Sequence, residues 1–230
     1  GPDFARLPVD DEQRGPVGVE NGLCFLHEKL EKLVEQGTHF VRWGNVTDDN
    51  LGTVIGSDNF RGGYDATQHL ISLGRRRIAF LGEANSHYPE LHGRYRGYCE
   101  AQRNNGIKVQ TKLQADCITT EQAGYNACVE LIRRNAKFDA IFAACDLIAI
   151  GAMRALQDHG LEVPGDIAVV GFDNIPAASL TRPPLTTIEQ DFRRAGEMLV
   201  HSLVRQIRNE RSAHEALPAR LVVRKSCGAR

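Results

Sequence analysis

Nowhere in these 230 residues do about 18 apolar residues run together, so no transmembrane helix is expected. The opening residues, GPDFARLPVDDEQRGPVGVENG, lack a basic stretch followed by an apolar core, so they do not read as a signal peptide. A surplus of one charge is missing too. Twenty-eight Lys and Arg face 29 Asp and Glu, for a net charge of −1. A domain that grips nucleic acid unaided carries a basic surplus, so any DNA contact is assigned to another segment. Six cysteines occur, Cys24, Cys99, Cys117, Cys128, Cys145 and Cys227, and no two are spaced CxxC. That excludes a zinc-type cluster and argues against a disulfide framework. Buried free thiols in a reducing, cytoplasmic setting fit better.

Enzyme signatures are scarce. There is no GxGxxG after a strand, no GxxxxGK[ST] and no GxSxG. The eight histidines never form HExxH. No catalytic set, metal site or cofactor is therefore expected. Cys145 follows a strand and opens a helix, where a thiol can be activated. No partner base is legible beside it.

What is present is alternation. Apolar, β-rich runs occur at His39–Gly44, Arg77–Gly82, Asp139–Ala144 and Ile167–Phe172, with shorter ones at Thr186–Gln190 and Arg220–Arg224. The central runs lack polar alternation, as strands covered on both faces do. Helical patterns lie between them at Phe25–Glu35, Arg61–Leu73, Arg94–Asn104, Thr120 or Glu121 to Arg134, Asp146–His159 and Asp191–Arg208. Gly37, Gly74, Gly106 and Gly160 are the expected stops. This order predicts a doubly wound α/β architecture. Residues 1–23 carry no clear strand or long helix.

Such sheets bind ligands outside the carboxyl ends of their strands. Here those ends carry Trp43-Gly44-Asn45, Cys145-Asp146 and Asp173-Asn174, a polar set suited to a hydroxyl-rich molecule. Trp43, the only tryptophan, reads either as a core aromatic or as a platform for a sugar ring.

From Gly56 onward the chain resembles the LacI/GalR family of bacterial transcription regulators. Ser57–Gly63 with His69–Ala79 is similar to the family's DNxxG…HLxxLGHRRIA block. Arg94-Tyr95-Arg96-Gly97-Tyr98 resembles its RxxGY/F helix segment. Phe138–Ala155, Val163–Asn174, Pro183–Ile188 and Leu221–Ser226 resemble four further blocks in family order. The resemblance implies two α/β lobes, like periplasmic sugar-binding proteins, with three crossings between them. One lobe would hold residues 1–57 plus 191–219, and the other 58–190 plus 220–230. Residues 1–23 do not resemble the family's opening βαβ units, so the first lobe is expected to be incomplete. The helix-turn-helix headpiece, which would precede it, is not in this sequence.

The same resemblance implies an effector, a carbohydrate, between the lobes. Arg94 matches the arginine that clamps it, and Asp173 the acid that accepts from hydroxyls. For both, the ligand role is favoured over a structural ion pair. Cys145 stands where relatives often have Asn or Ser. Asp146 matches the usual Asp, or is a plain helix cap. The aspartate many relatives place near Gly44 is missing, so Trp43 or Asn45 would take its part. A homodimer is implied, through Ile150, Arg154, Leu180 and Thr181, with operator DNA held only by the headpiece and no membrane contact. The rivals are a periplasmic sugar-binding protein of a transporter and a sugar-acting enzyme. The second would need paired acid and base groups that the sequence does not offer.

Overall fold

A computed structural model describes residues 28–47, 51–85 and 88–229. The expectation for residues 1–23 therefore lies outside the described residues. Two sheets form. The smaller has three parallel strands, β1 (Val41–Trp43), β2 (Thr53–Ser57) and β8 (Glu215–Leu217), in the order β1-β2-β8. The larger comprises β3 (Ile78–Leu81), β4 (Gln114–Ala115), β5 (Ala140–Ala143), β6 (Ala168–Asp173), β7 (Thr186–Glu189) and β9 (Arg220–Val222). Its order is β4-β3-β5-β6-β7-β9, with β9 antiparallel and the rest parallel. The doubly wound α/β expectation holds.

The helices fall where the periodicity places them. A first helix, α1, covers 28–35 among the described residues. The others are α2 (Asn59–Ser72), α3 (Pro89–Asn104), α4 (Glu121–Arg133), α5 (Asp146–Asp158) and α6 (Phe192–Ile207). All four expected stops, Gly37, Gly74, Gly106 and Gly160, have positive φ, which closes a helix without a Cβ clash. One start needs correction. The α3 helix begins at Pro89, not at Arg94, because proline in a first turn lacks only an N–H that no helix bond uses. Arg94 therefore sits in the second turn.

The larger core is apolar throughout. Phe80, Ile141, Phe142, Val169, Val170 and Phe172 are fully buried between helix layers. On one side α2 packs on α3, and on the other α4 packs on α5. Glycines set both spacings. A Cβ at Gly63 would meet the Arg94 carbonyl oxygen at 2.1 Å, and one at Gly151 would press on the Glu121 carbonyl. The smaller core joins Ile55, Ala195, Met198 and Leu217 to Val41, Trp43 and Leu199, seating α6 on its sheet.

Candidate ligand-binding site

The carboxyl ends of β5 and β6 lie side by side, because these strands pair in parallel. The site is formed by the residues at and just beyond these two ends. After β5 come Ala144 and Cys145, the cap residue of α5. At the end of β6, Asp173 and Asn174 adopt φ of +110° and +55°. Left-handed backbone at non-glycine residues costs on the order of 1–3 kcal/mol and survives only where surroundings hold it. Here they do. Gln190 donates to Asp173 Oδ1 at 2.6 Å, Asn174 Nδ2 donates to Glu189 at 2.9 Å, and Arg224 donates to Asn174 Oδ1 at 2.7 Å.

Arg94 enters from α3. It is 6% exposed. Its Nε donates to Asn59 Oδ1 at 2.9 Å, and its Nη1 to the Ala144 carbonyl at 2.6 Å. Nη1 also lies 3.3 Å from Asp173 Oδ1. The guanidinium covers the Phe172 ring at 3.7 Å from its centroid. Only a planar fork of fixed donors can serve these partners together. Burial pulls the Arg94 guanidinium below its ordinary value, with Asp173 opposing. Burial likewise raises the Asp173 carboxyl, with Arg94 and Gln190 opposing.

The structure thus brings Arg94, Asp173 and Cys145 to one wall. Burial pushes the Cys145 thiol up to about 11, so it stays an S–H and is no nucleophile at neutral pH. Asp146 lies behind that wall. It is fully buried, with Oδ1 accepting from Thr187 Oγ1 at 2.5 Å and Oδ2 from the Ile175 N–H at 2.9 Å. It thereby fixes the turn that presents Asp173. Trp43 packs against the smaller core, its ring tilted at 54° and 5.8 Å from that of Phe192. Asn45 donates its backbone N–H to Glu90 Oε1 at 2.9 Å. Gly44 leaves room for that oxygen, which lies 3.4 Å from where its Cβ would stand. Glu90, one turn before Arg94 on α3, so places a carboxylate beside Gly44, at the end of a strand that lacks the aspartate the resemblance implies. Three contributors escaped the sequence reading: Asn59, Glu90 and Gln190.

Of the residues assigned to a dimer face, Leu180 is 79% exposed, and Leu147 beside the α5 start is exposed too. Ile150 is partly buried against the core. Arg154 pairs with Glu121 at 2.6 Å and covers the Tyr125 ring at 4.8 Å. The Thr181 hydroxyl donates to the Pro183 carbonyl at 2.8 Å.

Asp146 makes stability depend on pH. Burial lifts its carboxyl from 3.8 to about 6 despite the two hydrogen bonds. The folded state therefore binds this proton more tightly than the unfolded chain. Its contribution is full below about pH 4 and is lost as pH rises through about 6, a total of roughly 3 kcal/mol. Urea unfolding at pH 5 and pH 7 on the wild type and on Asp146→Asn checks this. The wild type is expected to lose stability over that interval relative to the variant; equal slopes would refute the assignment.

The periplasmic binding protein-like domain family matches residues 67–227. The HTH-type transcriptional repressor PurR of Pasteurella multocida is 33% identical over 192 residues, 82% of this chain and 56% of that protein. The HTH-type transcriptional regulator DegA of Bacillus subtilis is 34% identical over 215 residues, 91% of this chain and 62% of that protein. The chain spans about half the length of the curated relatives it matches. Among solved structures, a complex of the transcriptional regulator CelR with cellobiose aligns with a TM-score of 0.78 and 33% identity, covering 84% of this chain and 60% of that one. A LacI family regulator from Enterococcus faecium with bound ribose aligns with a TM-score of 0.77 and 30% identity, covering 85% and 73%.

Proposed function

This chain belongs to the LacI family of transcriptional regulators, as a periplasmic binding protein-like ligand-binding domain, and from that premise we propose that it senses a small carbohydrate between two lobes. The relatives are named as regulators, which sets aside the sugar-acting enzyme. In this reading one lobe is built on β1, β2, β8 and α6, with the described residues up to 57 and 191–219. The other takes 58–190 and 220–230. The observation that carries the reading is the buried Arg94–Asp173–Gln190 group at the strand ends. A guanidinium and a carboxylate side by side offer donors and acceptors to adjacent hydroxyls. Two solved relatives with cellobiose and ribose support the choice of sugar.

Control of DNA rests on differential binding. A sugar touching Arg94 and Asp173 on one side and the Asn45 loop on the other favours one lobe arrangement over others. The Glu90–Asn45 bond already links these two sides. Operator DNA is contacted by a headpiece outside these residues, in the cytoplasm, by a homodimer joined through Ile150, Arg154, Leu180 and Thr181. No helix among the described residues is long and apolar enough to cross a membrane.

Calorimetric titration with ribose and cellobiose tests the ligand class. Saturable heat from either supports it, and silence from both together with other neutral sugars overturns it. Sedimentation tests the dimer. Ile150→Asp should give monomers, and an unchanged dimer would move the interface elsewhere.

A further inference from the structure

The ligand space holds more than the Arg94–Asp173 group. Where β2 crosses into α2 there is a concavity of about 490 Å³, within the range of about 300–1,000 Å³ usual for small-molecule sites. Asn45, Thr47 and Ser57 line it from the smaller sheet, and Asn59, Phe60 and His92 from the two helices opposite.

Ser57 carries a hydroxyl that the fold does not use. The residue is 4% exposed, and its Oγ has no hydrogen-bond partner among the described residues. Buried hydroxyls are nearly always paired, so this one fits a partner that arrives with the ligand. Its backbone is already engaged. Asn59 Nδ2 donates to the Ser57 carbonyl at 3.1 Å, while Asn59 Oδ1 accepts from Arg94 Nε. One side chain therefore joins this concavity to the Arg94 group. On the same wall the Phe60 ring is exposed, with the Arg96 guanidinium 5.7 Å from its centroid.

A similar pairing stands at the other crossing. Gln190 donates to Asp173, and two residues on, Phe192 is exposed with Trp43 beside it. Each crossing thus offers an exposed aromatic ring next to hydrogen-bonding groups. An aromatic face takes the C–H side of a sugar ring, and polar neighbours take its hydroxyls. Neither Arg94, Asp173 nor Phe192 lines the concavity at Ser57, so the two places suit two rings.

We propose that the ligand is a disaccharide, with one sugar unit at Arg94, Asp173 and Gln190 and the second at Ser57 and Phe60. This rests on the carbohydrate reading above. Ser57 and Phe60 then determine specificity. The hydroxyl of Ser57 pairs with a hydroxyl of the second unit, and Phe60 takes the C–H face of that unit. A monosaccharide at Arg94 leaves Ser57 unpaired.

The test is calorimetric titration of the full chain with cellobiose, maltose and lactose, and with glucose, galactose and ribose. At least one disaccharide is expected to bind about tenfold or more tighter than any of the monosaccharides. Ser57→Ala and Phe60→Ala should each narrow that ratio several-fold, weakening the disaccharide far more than its component sugar. Ser57→Ala should leave the melting temperature of the ligand-free protein unchanged or higher, because it removes an unpaired hydroxyl. A monosaccharide that binds as tightly as every disaccharide, or a ratio that both variants keep, overturns the two-unit assignment and leaves the carbohydrate reading standing. Silence from all of these sugars overturns both.

Discussion

Arg94→Ala is expected to abolish ligand binding at the cleft and to lower the melting temperature by about 10 °C. The arginine holds four partners at once: Asn59, the Ala144 carbonyl, Asp173 and the Phe172 ring. Alanine strands all four. The heaviest loss is electrostatic, since Asp173 is left largely buried without its cation. Removing one member of such a pair costs about 3–5 kcal/mol, and each kcal/mol moves the midpoint by about 2–4 °C at this size. Asp173→Asn is the informative contrast. Arg94 then keeps Ala144, Asn59 and Phe172, so the cost should be smaller, about 1–2 kcal/mol. Arg94→Lys should not rescue binding, because an ammonium cannot serve Asn59 and Ala144 from one rigid fork. Thermal melts with calorimetric titration read both effects. Arg94→Ala melting within about 2 °C of wild type would mean that its network contributes little.

Much of this site was legible, and the reasons differ by residue. Asp173 and Cys145 end apolar β-rich runs, where strand geometry alone directs ligands. Arg94 was legible through the family's block around Gly97, and not through periodicity. Its helix start was misplaced because Pro89, His92 and Gly93 look like loop residues when read singly. That misplacement hid Glu90, which shares a face with Arg94 only once the helix begins at Pro89. Gln190 was read as the end of a strand, and nothing in a strand pattern says that its amide meets Asp173. Three strands were missed. β4 has two residues and β8 three, with no flanking apolar run to extend them, while β2 has five but carries Gly56, which fits because its missing side chain lets the Gly44 carbonyl approach. Each is made a strand by its neighbours rather than by its own sequence.

Gly97→Val should be the most damaging substitution of a small residue near the site, costing about 3 kcal/mol or more. A Cβ at Gly97 would stand 2.1 Å from the Phe60 carbonyl oxygen and 2.5 Å from the Tyr64 nitrogen. Both are backbone atoms of α2, so no rotamer change relieves the clash, and the helices must separate. Overpacking a core typically costs about 1–3 kcal/mol when side chains can adjust, and here they cannot. The separation also has a functional edge. α2 carries Asn59 and α3 carries Arg94 and Glu90, so parting the helices breaks the Asn59–Arg94 bond. Stability and affinity should therefore fall together, at a residue that touches no ligand. Gly196→Ala sets the scale. It lies in α6, exposed, with nothing within 4 Å of its Cβ position, so alanine there should stabilise by up to about 1 kcal/mol through helix propensity. Melts followed by circular dichroism should move in opposite directions for the two variants. Equal shifts would mean that the α2–α3 spacing yields more easily than its backbone contacts imply.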